Sequence, residues 1–432
     1  MALTGLVAGP ADASSAQIFS SGSLYYQAST GETNTVTITY TGSSFTITDP
    51  GATITPGTGC TGSGTITCSA AGVTSISVSL SDGNDSALVN SPFRTYVDGG
   101  EGNDDIATGS GSDSVYPGSG INNVATGDGN DYVAAVAGND TINLGAGNDS
   151  TDPGLGNDDV RGGPGNDYAN YSNRSGGVTV SLDNLGGDGE TLLGESDNVH
   201  SDIESVYTGN GNDNVTGSAA ANYISTGNGN DTLNGGGDRD TLSAGSGADT
   251  LNGGTGNDRL YDDEGADTLK GDAGDDNLYS YDGTVGRDIF SGGTGVDLVG
   301  FYGDKNVTVT LNNVANDGRA GDLTDNVKTD VEDVSTGAGD DTVTGSSASN
   351  DFTSGEGNDT LRGGAGSDGL DGDRGRDKLF GDNGVDSIYG GAGADTIVSQ
   401  DTSADYVTCG SSVDSVNRDS KDQVTFDCEK LT

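Results

Sequence analysis

An aspartate returns every nine residues from position 104 to position 395, and few folds can accommodate so short a period. It falls at Asp104, Asp113, Asp131, Asp140, Asp149, Asp158 and Asp167, with Asn122 in the one gap. A second block carries Asp213, Asp231, Asp240, Asp249, Asp258, Asp267 and Asp276, with Asn222 in register, then Asp288 and Asp297 after a three-residue slip. A third holds Asp341, Asp359, Asp368, Asp377, Asp386 and Asp395, with Asn350 in register. The residue two before the aspartate is Gly in 21 of these 22 cases, Asp238 being the exception. The residue two after it is a large apolar side chain in 20 of the 22, Thr151 and Ala169 departing. Fixed spacing of this kind signals stacked repeats and not a disordered acidic tract.

The chemistry of one repeat dictates its shape. The glycines allow backbone angles closed to other residues, so six residues can turn tightly. The next three make a minimal strand whose middle, apolar residue faces inward. One repeat cannot bury that residue alone, whereas stacked coils can. Two repeats make one full turn of an all-β, parallel β-roll, and about thirteen such coils are expected at a spacing of about 4.8 Å.

Charge then becomes the problem to solve. The chain has 67 Asp+Glu against 17 Lys+Arg, a net charge of −50. Such a chain repels nucleic acids and anionic membranes, which need clustered basic charge. Stacking would line up bare carboxylates a few ångströms apart, which like-charge repulsion forbids. Hard oxygen donors in flexible turns suit Ca²⁺; Mg²⁺ demands stricter geometry and keeps its waters.

The nonapeptide Gly253-Gly254-Thr255-Gly256-Asn257-Asp258-Arg259-Leu260-Tyr261 resembles the RTX, or haemolysin-type, calcium-binding repeat. The resemblance covers roughly 99–167, 208–297 and 336–405. It implies that each Ca²⁺ sits between neighbouring turns on one edge, held by turn carbonyls and the sixth-position aspartate. The implied ligands are the 22 aspartates named above, and roughly fifteen to twenty ions are expected. Asn122, Asn222 and Asn350 lack the charge, which puts their sites in doubt.

The remaining segments read as additions to the roll. Residues 168–207 and 298–335 interrupt the ladder but match each other: V-T-V-S-L-D-N at 178–184 parallels V-T-V-T-L-N-N at 307–313, and D-I-E-S-V at 202–206 parallels D-V-E-D-V at 330–334. Each is expected to add a hairpin, with a surface for a sugar or protein partner as the sharper reading. Residues 17–95 alternate as strands at 35–40, 45–48 and 73–80, and resemble the β-rich N-terminal cap of secreted, actinobacterial-type RTX proteins. Residues 406–432 resemble the disulfide-closed C-terminal cap of the same proteins. The roll itself spans 96–167, 208–297 and 336–405. Four cysteines allow three pairings. The local one, Cys60 with Cys68 and Cys409 with Cys428, is expected because the pairs lie near opposite ends of a long body. Residues 1–16 hold no Lys or Arg and include Ala11-Asp12-Ala13, which reads as a residual export signal or a flexible terminus.

Catalytic constellations are missing from the sequence. His200 is the only histidine and its place in the second insert is taken by Lys328, so a surface role is expected. No G-x-S-x-G elbow, H-E-x-x-H or G-K-[ST] occurs. Position three of the repeats carries no regular Thr array of the kind an ice-binding face would need. No apolar run is long enough to span a membrane. The expectation is a secreted, extracellular or cell-surface protein without enzymatic activity that folds on binding many Ca²⁺ ions and serves as a structural, surface-layer or adhesion scaffold. A cell-surface polysaccharide or protein is its expected partner. The alternative is the non-catalytic RTX region of a polysaccharide-modifying enzyme.

Overall fold

A computed structural model of the protein describes residues 13–281, 286–425 and 427–432. Residues 1–12, with most of the expected export segment, lie outside them, as does Phe426 of the expected C-terminal cap. Every regular element among the described residues is a strand. The chain divides into two compact units, Met1–Gly209 and Asn210–Thr432.

Each unit is a parallel β-solenoid whose coil is two nonapeptides long. In the first, Asp105–Ala107 pairs with Asn123–Ala125, which pairs with Thr141–Asn143, which pairs with Asp159–Arg161, each strand 18 residues beyond the last. The alternate repeats form the facing row, Ser114–Ser119, Tyr132–Ala137, Ser150–Asp152 and Tyr168–Asn170. In the second unit, Tyr223–Ser225, Thr241–Ser243, Arg259–Tyr261 and Asn277–Ser280 make one such row, and Asn214–Thr216, Thr232–Gly237, Thr250–Thr255 and Thr268–Ala273 the other. The slip before Asp288 lengthens one coil to 21 residues without disturbing register, because Thr268 still faces Ile289.

Burial follows the period. The apolar residue two after each aspartate is fully buried, and Thr151 and Ala169, the two smaller departures, are buried in the same column. The turns are equally constrained. Gly247 has φ +156°, and a Cβ there would overlap the carbonyl oxygen of Gly229 in the coil below. Asp238, the one residue that replaces this glycine, still adopts the left-handed region at φ 62°. Asp tolerates that region better than most residues, and its Oδ1 accepts the Arg239 N–H at 2.8 Å.

Three boundaries drawn from the sequence move. The inserts do not break the ladder. Within each, the hairpin is present: Val178–Ser181 lies antiparallel to Gly189–Glu190, and Val307–Thr310 to Gly318–Arg319. The chain then re-enters the coil, so that Asn198 faces Asp159 and Tyr168 faces Ser205, while Leu298 faces Asp333. The N-terminal segment is likewise continuous with the solenoid, since Ser75–Ser79 pairs parallel with Arg94–Asp98 and Thr35–Tyr40 with Ser86–Asn90. The C-terminal segment adds parallel strands too, Tyr406–Thr408 on Ser387–Tyr389 and Ser415–Asn417 on Thr396–Val398. Strand pairing needs a coil of the right length, and the Gly–Asp signature is dispensable for it. Both disulfides form as expected, Cys60–Cys68 and Cys409–Cys428.

The two hairpins are held alike. Asp188 accepts the N–H groups of Ser181 at 2.7 Å and Val199 at 2.9 Å, and Asp317 those of Thr310 at 2.6 Å and Val327 at 2.8 Å. A buried guanidinium lies over a buried ring in both, Arg174 over Tyr171 and Arg319 over Phe301. The two arginines come from different sequence positions, so the copies preserve the contact and not the residue.

The stacked core makes one clear demand. Leu260 is fully buried between Leu242 and Leu278, so Leu260→Ala should lower unfolding free energy by ~2–5 kcal/mol in chemical denaturation, whereas Leu192→Ala, at a site 82% exposed, should change it little.

Candidate metal centre

The sixth-position aspartates converge in rows inside the turns. Each of the 22 is no more than 2% exposed. In at least 21 of the 22, one carboxylate oxygen serves the backbone. Asp131 Oδ1 accepts the N–H of Asp113 at 2.7 Å, Asp149 Oδ1 that of Asp131 at 2.7 Å and Asp167 Oδ1 that of Asp149 at 2.8 Å. Asp249, Asp258, Asp276, Asp377 and Asp395 do the same for the aspartate one coil before, at 2.7–2.9 Å. A carboxylate thereby carries the hydrogen bond that would otherwise be missing where the turn leads into its strand.

The other oxygen is left over. In nineteen of the 22 aspartates Oδ2 is buried without a hydrogen-bond partner. Leaving one buried carboxylate oxygen uncompensated is costly, and a row of them is untenable without a counter-charge. The oxygens are not scattered. Asp104 Oδ2 lies 2.7 Å from the point where a Cβ on Gly99 would sit, and the carbonyl of Pro117, one coil on, crowds the same point. Asp240 Oδ2 and the Gly253 carbonyl crowd Gly235 in the same way, as do Asp258 Oδ2 and the Gly271 carbonyl at Gly253. The first glycine of the repeat thus leaves room for a carboxylate oxygen and a carbonyl oxygen to approach one another. This donor set fits Ca²⁺, a hard ion that takes six to eight oxygens.

The electrostatics agree with the geometry. Burial, with the neighbouring aspartates as a further cause, raises Asp131, Asp377 and Asp386 to about 7. Burial and the charges of Asp197 and Asp140 raise Asp158 to about 8. Desolvation is the largest cause in every case, as expected for carboxylates removed from water with no cation beside them.

The three asparagines differ from one another. Asn122 keeps the ladder, its Oδ1 accepting the Asp104 N–H at 2.9 Å, but an NH₂ group replaces the free oxygen and donates to the Gly120 carbonyl. Asn222 and Asn350 turn their Oδ1 onto their own loops. The N–H of Ser218 reaches Asn222 at 2.6 Å and that of Ser346 reaches Asn350 at 2.9 Å, each supported by the serine hydroxyl at 3.3 Å. These two turns close with hydrogen bonds in place of a cation.

Several ladder residues escape the nine-residue frame. Asp85 donates its N–H to Asp104 and has a free, buried Oδ2, and Asp405 and Asp414 extend two rows at the other end. Within the inserts, Asp197 and Glu204 accept the N–H groups of Asp158 and Asp167 at 2.8 Å, and Asp325 and Glu332 those of Asp288 and Asp297 at 3.0 and 3.1 Å. The sequence around Asp85, Ser81-Asp82-Gly83-Asn84-Asp85, keeps the Gly-x-Asp core and was the one readable signal among them. His200 is pinned structurally, with Nε2 2.7 Å from Asp159 and Nδ1 3.0 Å from Asn184.

Comparison with known families matches the chain to the RTX calcium-binding nonapeptide repeat (4 copies) over residues 96–124, 116–151, 125–160, 154–169, 207–242, 243–279, 335–370 and 362–397. No curated protein gives a significant match.

The raised aspartates fix the pH dependence of the calcium-free protein. Their folded pKa values of about 6 to about 8 lie above the unfolded value of 3.8, so the folded state holds more protons. Stability is therefore fullest below about pH 4 and is lost as pH rises through about 6–8. Thermal melts in EGTA from pH 4 to 8 should show falling Tm; a rising Tm would contradict the buried, uncompensated rows.

Proposed function

Given that the chain belongs to the RTX calcium-binding nonapeptide-repeat family, we propose that it binds Ca²⁺ in the aspartate rows of both units and that this binding drives its folding. The observation that carries the reading is the set of nineteen buried carboxylate oxygens without a partner, aligned against glycines that leave room for a second oxygen donor. Ions bound to the folded and not to the unfolded chain stabilise by mass action, and metal-binding energy becomes folding energy. Extracellular calcium modules bind at about 10⁻⁴–10⁻³ M, a range that separates cytosol from the outside of a cell. The net charge of −50 keeps the calcium-free chain expanded, and the ions neutralise it.

The biological role follows from that switch. The protein is a secreted, non-catalytic scaffold in a surface layer, a matrix or an adhesive contact, with a surface polysaccharide or protein as its partner. Two disulfides are consistent with an oxidising compartment. Among the described residues no helix is long and apolar enough to cross a membrane.

Far-UV circular dichroism of the EGTA-stripped protein at pH 7.5 is the direct check. Adding Ca²⁺ should produce a cooperative coil-to-β transition, and Mg²⁺ at the same concentration should not. An apo-protein already fully β and indifferent to Ca²⁺ would remove the aspartates from the role of ligands.

A further inference from the structure

Both inserts end in the same tripeptide pattern, Asp202-Ile203-Glu204 and Asp330-Val331-Glu332. Neither lies within a matched nonapeptide segment. Each stands where an ordinary coil would place its six-residue turn. The carbonyl of Asp202 crowds Gly162, as does Asp167 Oδ2, which lies 2.6 Å from where a Cβ on that glycine would sit. In the second copy the carbonyl of Asp330 and Asp297 Oδ2 crowd Gly292 in the same way. Asp202 and Asp330 therefore occupy the first position of the turn.

The glutamates occupy the sixth. Glu204 Oε2 accepts the Asp167 N–H at 2.8 Å and Glu332 Oε2 the Asp297 N–H at 3.1 Å. The following residues, Ser205 and Asp333, pair with Tyr168 and Leu298 of the preceding coil. Six residues have become three, and the longer glutamate side chain spans the shortened turn. The oxygen donors at both ends of the turn are retained.

A second observation points to a ligand. Asp167 and Asp297 are wholly buried, and Oδ2 of each has no hydrogen-bond partner. In the second copy Asp330 Oδ1 is also buried without one. The neighbouring acids are already committed elsewhere: Asp202 accepts the N–H groups of Gly162 at 3.3 Å and Gly163 at 3.1 Å, and Asp330 Oδ2 accepts the Ser291 hydroxyl at 2.8 Å. Neither copy has a basic side chain paired with these carboxylates among the ion pairs of the described residues. Three carboxylates around one glycine call for a cation.

We propose that each Asp-x-Glu tripeptide completes a Ca²⁺ site at a turn the nonapeptide pattern does not supply, in which Glu204 joins the row aspartate Asp167, and Glu332 joins Asp297, to hold one ion each. The proposal rests on the reading that the aspartate rows take Ca²⁺. It gives the inserts a role: the hairpin leaves the coil, and the tripeptide restores the row of ions where the chain returns.

The test uses the full chain and Ca²⁺ alone. Glu204→Gln and Glu332→Gln keep an acceptor for the backbone N–H but remove the charge. Equilibrium dialysis at saturating Ca²⁺ should show each single variant binding one ion fewer than the parent and the double variant two fewer, with circular dichroism confirming the fold. An unchanged stoichiometry in the folded double variant overturns the proposal while leaving the aspartate rows intact. A parent that binds no Ca²⁺ overturns both readings. Should the variants fail to fold, anomalous scattering from crystals of the parent grown with Ca²⁺ decides instead. A peak about 2.3–2.6 Å from Glu204 and Glu332 supports the sites, and peaks only at the nonapeptides overturn them.

Discussion

Everything in this molecule depends on a carboxylate that does half its work with the protein. One oxygen of the turn aspartate accepts a backbone N–H from the coil before it, which fixes where the turn ends and the strand begins. The second oxygen is buried with nothing to bond. The first interaction ties consecutive coils together, and the second accumulates charge along the line where they are tied. The fold therefore needs a cation most where its own hydrogen bonding is most regular. Glycine supports both features, since side chains at the first and fourth turn positions would collide with a carboxylate or a carbonyl oxygen.

Packing alone would not choose this arrangement. The interior column consists of one side chain per repeat, Leu, Ile, Val or Phe except at Thr151 and Ala169, each in register with those of the coils before and after it. Such a column is stabilised by nearest-neighbour contacts and has no central core to fall back on. The net charge works against it throughout. Ions shared between turns, as proposed, would give such a solenoid cooperativity, and the asparagine turns show the converse. Asn222 and Asn350 close with serine hydrogen bonds, so the row can be interrupted without leaving a buried group unpaired.

The periodic part of the fold was readable because its chemistry is local. Gly-x-Asp-x-Leu states the turn, the ladder residue and the core residue within five positions, and all 22 aspartates found that way occupy one kind of buried turn position. What escaped was whatever kept the geometry while changing the letters. Asp405 and Asp414 sit 19 residues, not 18, beyond Asp386 and Asp395, and Ser403 and Ser412 stand where glycine would be. Asp197 and Glu204 follow a hairpin whose length hides the period. How the N-terminal segment joins the roll is not legible, because its parallel pairing, such as Leu24 with Ile76, joins residues far apart in sequence and leaves no short-range trace. The proposed function rests on the same footing: the candidate ligands are local and legible, while a partner would be recognised by a surface that no repeat encodes.

The length of the coil has a consequence for how such a chain can change. Because one turn is two repeats, neighbouring repeats lie on opposite edges. Gaining or losing a single repeat would send every later strand to the opposite row, pairing Tyr132 with the Asn123 side of the molecule and moving each insert to the other flank. Gaining or losing two would keep every later strand in its row, one coil further along the stack or one coil back. Growth of the protein by duplication is thus quantised in whole coils, and the matching inserts are the mark of one such step, copied with their hairpins and their acids in place.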